Sequence, residues 1–111
     1  MGNFTSVTEV VRTAAPAGGD GVFMMMGTMV GPASYDAGGS EVDFSALFKS
    51  KVYAALIYVD NADLRCTFVP ASAYATATPL CFVDNNAGTE VSGNLATTMA
   101  VTHWVAWGTD A

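Results

Sequence analysis

The sequence predicts an all-β fold, either a small antiparallel β-sandwich or a jelly-roll-like barrel. Short runs rich in Val, Ile, Thr and aromatic residues recur along the 111 residues, and clusters of Gly, Pro, Asn and Asp separate them at regular intervals. No stretch has the apolar period of an amphipathic helix. A chain of this length forms one domain, with interior enough for two packed layers.

The N-terminal region, residues 1–21, is predicted to be a strand or extended arm followed by a flexible connector, and residues 22–111 form the sandwich. Residues 3–12, NFTSVTEVVR, are rich in Val and Thr, but their apolar spacing is irregular. A strand inside the domain and an arm outside it therefore both remain open. The Pro- and Gly-punctuated residues 14–21, AAPAGGDG, would allow this segment to reach a neighbouring subunit.

Two apolar runs predict the main strands of the sandwich. Residues 22–30, VFMMMGTMV, are apolar at odd and at even positions alike, as expected of a strand that is covered on both faces. Residues 51–59, KVYAALIYV, show the same pattern, which places this strand centrally in a sheet or with its outer face in an interface. Between the two runs, Asp43 and Ser45 predict a single helical turn or an irregular bend near residues 44–48.

Two hairpins are predicted in the second half of the chain. Residues 60–63, DNAD, form a turn that returns the 51–59 strand as a strand over residues 64–69. Residues 80–83 and 89–92 flank a loop of four or five residues and form the second hairpin.

The last strand is predicted over residues 98–107, TMAVTHWVAW. Trp104 and Trp107 have opposite parity on this strand, so they cannot share one face. A sugar-stacking platform of Trp104, Trp107 and Tyr58 is therefore a weaker interpretation than placement in the core and at an interface.

The charge balance argues against two classes of partner. Ten acidic and four basic residues give a net charge of −6 and a pI near 4.2. That sign is unfavourable for nucleic acid and for anionic membrane surfaces. The sequence has no apolar stretch of the ~18 residues typical of a membrane span. The first 20 residues lack the basic start and apolar block of a signal peptide, which predicts a protein made in the cytosol.

Charged residues are scarce in this chain. They make up 13% of it, about half of the ~25% usual for soluble domains, and the mean hydropathy is +0.35. A small domain has a high ratio of surface to volume, so this composition should leave apolar surface exposed. We therefore expect an obligate assembly; the alternative is a monomer with a Thr-, Ala- and Ser-rich surface.

No catalytic, cofactor-binding or metal-binding residues are predicted, and the chain is not expected to be an enzyme. His103 is the only histidine and lies in no nucleophile motif. Residues 84–90 do not match a calcium loop, because Gly88 falls one position early. Cys66 and Cys81 are expected to be buried free thiols. The carboxylates of the Gly-rich turn are expected to face water: Asp36, Glu41 and Asp43.

Five short features lie between Tyr35 and Trp107. They are Tyr35-x-x-Gly38-Gly39, Val42-Asp43-Phe44-Ser45 with Phe48 following, Val52-Tyr53-Ala54-Ala55, Gly88-Thr89-Glu90-Val91 and the Ala-, Val- and Thr-rich last strand. In these features the chain resembles a family of small tailed-phage virion proteins, the capsid decoration (cement) proteins. About two-thirds of the chain carries this resemblance. The chain departs from the family at Gly93-Asn94-Leu95-Ala96, where an Asp-Leu-Ser sequence is typical.

The resemblance implies a β-sandwich that forms homotrimers on the outer capsid surface of the virion, at three-fold positions of an icosahedral head. There it would bind the major capsid protein and stabilise contacts between capsid subunits, with no nucleic acid, membrane or cofactor. Phe4, Phe23 and Trp107 are the interface candidates, because aromatic side chains often anchor interfaces. The alternatives are another phage virion component, such as a tail or head fibre, and a small carbohydrate- or ligand-binding β-module.

Overall fold

Seven β-strands make up the regular structure of the computed structural model, which describes residues 3–13, 21–35, 38–48, 51–71 and 78–109. No helix is present among these residues. The strands are β1 (Thr5–Arg12), β2 (Phe23–Val30), β3 (Ser40–Glu41), β4 (Lys51–Val59), β5 (Leu64–Val69), β6 (Leu80–Asn85) and β7 (Thr102–Thr109).

The strands form two antiparallel sheets. The larger sheet has the order β1-β2-β7-β4, and the smaller has the order β3-β6-β5. The predicted all-β antiparallel sandwich is therefore confirmed. The backbone N–H of Phe4 donates to the carbonyl of Glu41 at 3.0 Å, which joins the start of β1 to β3 in the smaller sheet.

The core lies between the two sheets and is built around aromatic rings. Trp104 on β7 meets Phe44 edge-on, with ring centroids 4.9 Å apart, and its indole Nε1–H donates to the carbonyl of Thr28 at 3.0 Å. Phe48 packs against Phe44 and also against Phe23, which covers the end of the core. Aromatic rings bury large apolar areas, so this cluster contributes much of the fold's stability.

The predicted single turn near residues 44–48 is present. The N–H groups of Leu47 and Phe48 both donate to the carbonyl of Phe44, at 2.9 and 2.8 Å. The Asp43 carboxylate accepts a hydrogen bond from the N–H of Ser45 at 2.9 Å, and so satisfies a donor at the start of the turn. The turn carries Phe44 and Phe48 to the interior.

Residues 5–12 pair with β2 within the same domain. Register shifts interrupt the pairing between Thr5 and Thr8 and between Glu9 and Val11. These irregularities account for the uneven apolar spacing in the sequence, because each extra residue changes which face the next side chain takes. Residues 14–20 of the predicted connector lie outside the described residues.

The predicted hairpin of residues 51–69 is wrong in its pairing. β4 lies at an edge of the larger sheet, and β5 lies at an edge of the smaller one. The turn at residues 60–63 therefore connects the two layers and does not join paired strands. For the same reason β4 is not central in a sheet, and its apolar outer side remains open.

The last strand begins later than predicted. The N–H of Met99 donates to the carbonyl of Leu95 at 2.8 Å, so residues 95–99 form a turn that precedes β7. The hydroxyl of Thr102 donates to the carbonyl of Met99 at 2.9 Å and ends that turn. The sequence concealed this turn because Met99 and Val101 continue the alternating pattern of β7 toward the N-terminus. Alternation alone does not distinguish a strand from a covered turn.

The side chain of Tyr35 is fully buried and links β6 to the segment that follows it. Its hydroxyl donates to the Glu90 carboxylate and accepts a hydrogen bond from the N–H of Val83 at 2.9 Å. The same carboxylate accepts from the N–H of Gly38 at 3.1 Å. Burial, followed by the hydrogen bond to Glu90, raises the pKa of Tyr35 well above its ordinary value.

Tyr35→Phe is expected to lower the free energy of unfolding by about 1–3 kcal/mol, because it leaves the buried N–H of Val83 without a partner. The wild type should also lose stability as the pH rises above ~10, where unfolded tyrosine releases its proton while folded Tyr35 retains it. Urea unfolding at a series of pH values measures both effects.

The matched control for this substitution is Tyr53→Phe, since Tyr53 is half exposed on β4. That variant should keep the wild-type stability and its alkaline decline. A Tyr35→Phe protein with the same alkaline decline as the wild type would show that Tyr35 is not its source.

Candidate interaction surface

The outward positions of the larger sheet follow from strict alternation on its two central strands. On β2, Phe23, Met25, Gly27 and Met29 are buried, so Met24, Met26 and Thr28 point away from the core. On β7, Thr102, Trp104, Ala106 and Gly108 are buried, so His103, Val105 and Trp107 point the same way as those three. Cross-strand pairing then aligns the outward residues in rows.

Three such rows cross the sheet and together define what we name the outer face. The register pairs β2 with β7, β7 with β4, and β1 with β2. The rows are Met24, Trp107 and Ala54; then Val11, Met26, Val105 and Leu56; then Thr8, Thr28, His103 and Tyr58.

A register shift on β4 decides which of its residues belong to the outer face. Val52 pairs with Gly108 and Ala54 with Trp107, so Tyr53 is an extra residue on β4. Val52 is consequently buried at 2% exposure, although strict alternation groups it with Ala54, Leu56 and Tyr58. The shift turns Leu56 and Tyr58 outward while Ile57 stays in the core.

The outer face exposes large apolar side chains. Leu56 is 62% exposed, Tyr58 53% and Val11 51%. Next to them Val10, an extra residue in the β1 register, is also exposed. Monomeric proteins rarely expose contiguous apolar patches of this kind unless the patch binds something.

No Asp, Glu, Lys or Arg occupies any of the three rows. Glu9 and Arg12 of β1 pair with the core-facing positions of β2, and the Arg12 Nε–H donates to the Glu9 carboxylate at 2.8 Å. The Arg12 guanidinium also lies over the buried Phe23 ring, 5.6 Å from its centroid. Lys51 lies beyond the rows, with its ammonium 4.9 Å from the Tyr53 centroid.

Apart from Glu9, the acidic side chains of the described residues lie outside the larger sheet. Glu41 and Asp84 belong to the smaller sheet, Asp43 follows β3, and Glu90 follows β6 in the chain. Asp60 and Asp63 lie at the turn between the layers. The described part of the molecule therefore has one uncharged apolar side and an acidic remainder.

Tyr58 and His103 stack on the outer face, with ring centroids 5.2 Å apart and an angle of 22° between the rings. The two rings border a shallow groove of about 240 Å³ together with Val10, Val11 and Met26. The groove is open and largely apolar, so it suits contact with another apolar surface.

The predicted interface candidates divide into two groups. Phe4 and Phe23 are only 4% and 3% exposed, and their rings lie in the chain's own core. Trp107 is partly exposed in the first row of the outer face. Sequence reasoning did not name Leu56, Tyr58 or Val11 as interface residues, and it considered Tyr58 only for sugar stacking. The apolar alternation of β4 was the available signal for the first two.

Cys66 and Cys81 are free and lie on the neighbouring strands β5 and β6. Their directly opposite partners are Val83 and Phe68, so the two thiols are diagonal neighbours on the core side. A hydrogen bond with Cys66, and then burial, raise the pKa of Cys81. The thiol is therefore held in its neutral, unreactive form.

Among residues 3–13, 21–35, 38–48, 51–71 and 78–109, no three His, Cys, Asp or Glu side chains are grouped so as to hold a metal ion. In the same part of the chain, no helix has the length and apolar character needed to span a bilayer.

The sequence and structure were also compared with known proteins. No protein-family model, no curated protein and no solved structure matches this chain.

Proposed function

We propose that this chain is a viral structural protein, a capsid decoration protein that binds the outer surface of a tailed-phage head and stabilises contacts between major capsid subunits. Five of the residues that carry the family resemblance are buried and help to build the core of the fold: Tyr35, Val42, Phe44, Phe48 and Val52. The binding function itself would belong to the surface.

The observation that carries the proposal is the outer face, an uncharged apolar surface on a small acidic protein. Such a face favours a protein that acts by covering area in an assembly over one that acts on a small substrate. The acidic remainder of the molecule suits a position outside the shell, away from packaged DNA, since like charges repel.

Binding in this role is by repeated contact. A homotrimer presents each capsid-binding patch three times, and a shell offers many equivalent positions. Once one subunit is bound, the others bind at a high effective concentration, so weak individual contacts add to a stable attachment. Each attached trimer would then hold neighbouring capsid subunits together.

Mixing the purified protein with expanded capsids that lack it tests the proposal. We expect the protein to sediment with the capsids and to give regular density at three-fold positions of the outer surface in electron micrographs. Capsids should also withstand heating to a higher temperature when the protein is bound, because a ligand that binds only the intact state stabilises it. Failure to co-sediment with any such capsid would exclude decoration, and binding to isolated tails or fibres in a parallel mixture would indicate the other virion role.

A carbohydrate-binding module is the second candidate, favoured by the half-exposed Tyr58 ring beside the groove. Aromatic faces stack on pyranose rings, and Trp107 lies on the same face. This candidate predicts saturable shifts of the Tyr58 and His103 resonances on titration with oligosaccharides. The decoration proposal predicts no such shifts.

A further inference from the structure

We infer that the outer face packs against the outer faces of two sister chains around a three-fold axis. This inference rests on the proposed homotrimer and assigns the surface through which its subunits meet. Its support comes from the charge, the width and the exposure pattern of the outer face.

Charge limits where copies of this chain can meet. Each copy carries a net charge of −6, so most contacts between copies would bring carboxylates together. Charges buried without partners are strongly unfavourable. The outer face has no charged side chain in its three rows, so copies can bury it without desolvating a charge.

The width of the sheet fits a three-fold arrangement. Four strands spaced ~4.8 Å apart make a face about 19 Å wide. Three such faces enclose a triangular prism whose axis is about 5.5 Å from each sheet, which is close to half the ~10 Å spacing of packed sheets. Side chains of ordinary length would therefore fill the space around the axis.

This arrangement also gives each strand of the sheet a distinct neighbour. The central strands β2 and β7 would face the axis, while β1 of one chain would lie beside β4 of the next. Val11 on β1 and Leu56 on β4 are half or more exposed and lie at opposite ends of the same row. In a trimer, Val11 of one chain would contact Leu56 of the next and cover both.

The size of the outer face is adequate for a stable contact. Strands of eight or nine residues are about 27 Å long, so the sheet has a footprint of roughly 500 Å² before side-chain relief is counted. Specific interfaces bury ~800 Å² of accessible surface per partner, which is of the same order.

Light scattering on the full chain tests the inference. We expect a trimer mass for the wild type and a mass about three-fold smaller for Leu56→Lys, because the ammonium would be buried among apolar side chains. The matched control is Thr67→Lys, an exposed mid-strand position on β5 of the smaller sheet, which should remain trimeric. Circular dichroism confirms that each variant keeps its strands; if Leu56→Lys loses them, Val11→Lys provides the same test at the other end of the row.

A charge-pair variant tests the predicted contact between chains. Within one chain, Val11 and Leu56 are separated by three strand spacings, about 14 Å, which is too far for a direct ion pair. Between neighbouring chains of the trimer they would be adjacent. Leu56→Lys combined with Val11→Glu should therefore restore the trimer that Leu56→Lys loses.

Several results would overturn the inference. A wild-type monomer or dimer would exclude the three-fold axis, and a Leu56→Lys trimer would exclude the outer face as the interface. No recovery in the double variant would exclude the β1-to-β4 contact. Capsid binding is measured separately: a wild-type trimer that binds no capsid would refute the decoration function while leaving this interface intact.

Discussion

Trp104→Ala is expected to lower the free energy of unfolding by about 3–5 kcal/mol, the usual cost of truncating a fully buried tryptophan. Trp104 is 1% exposed and lies on β7, one of the two central strands of the larger sheet. Its removal leaves a cavity beside Phe44 and deprives the carbonyl of Thr28 of its indole donor. A loss of this size is a large share of the ~5–15 kcal/mol that stabilises a typical domain.

Urea unfolding followed by circular dichroism measures the effect. The matched control is Trp107→Ala, because Trp107 lies on the same strand but on the outer face. Both substitutions should be made in the Leu56→Lys background, so that subunit association does not contribute to the measured stability. In that background we expect Trp107→Ala to cost about 1 kcal/mol or less. Equal losses from the two substitutions would contradict the assignment of the two strand faces.

The features that the sequence predicted correctly depend on local chemistry. The turn at residues 44–48 follows from the Asp43 carboxylate bonding the N–H of Ser45, two residues away. The opposite faces of Trp104 and Trp107 follow from the two-residue period of any strand. Neither depends on which other strand lies alongside.

The features that the sequence did not predict depend on contacts distant in the chain. Residues 51–69 look like a hairpin because a turn separates two apolar runs, but β4 pairs with β7 and β5 pairs with β6. The extra residue Tyr53 in β4 has no local signature either, because it is defined by the register against β7. Strand order and register are set by the packing of the whole sandwich.

The candidate site was predictable only in outline. Low charge predicted that apolar surface would be exposed, and the outer face has that character. Residue type alone selected Phe4 and Phe23, which the fold buries, since aromatic residues serve cores as readily as interfaces. Identifying Leu56 and Val11 required the sheet order, which places their strands at opposite edges.

Gly27→Val is expected to lower the free energy of unfolding by about 3 kcal/mol, at the upper end of the range for an overpacked core position. A Cβ atom at Gly27 would overlap the backbone carbonyl oxygen of Thr8 and the indole ring of Trp104, whose Cε2 would be 2.7 Å away. A packed indole and a backbone carbonyl cannot both move aside. The clash should therefore separate β1 from β2, and amide hydrogen exchange should show lost protection in β1 along with the fall in the urea midpoint.

The control is Thr28→Val, which places the same valine side chain one residue further along β2, where the side chain points outward. Both substitutions should be made in the Leu56→Lys background, because Thr28 lies on the outer face and subunit association would otherwise contribute. In that background Thr28→Val should change stability by less than about 0.5 kcal/mol and keep β1 protected. The comparison also tests the alternative of an N-terminal arm, because the clash exists only if Thr8 lies against Gly27 in the same sheet. Gly27→Val could instead leave both the exchange protection of the amides of residues 5–12 and the urea midpoint unchanged. Those residues would then not be packed on β2, and the N-terminal arm would be the correct interpretation of this segment.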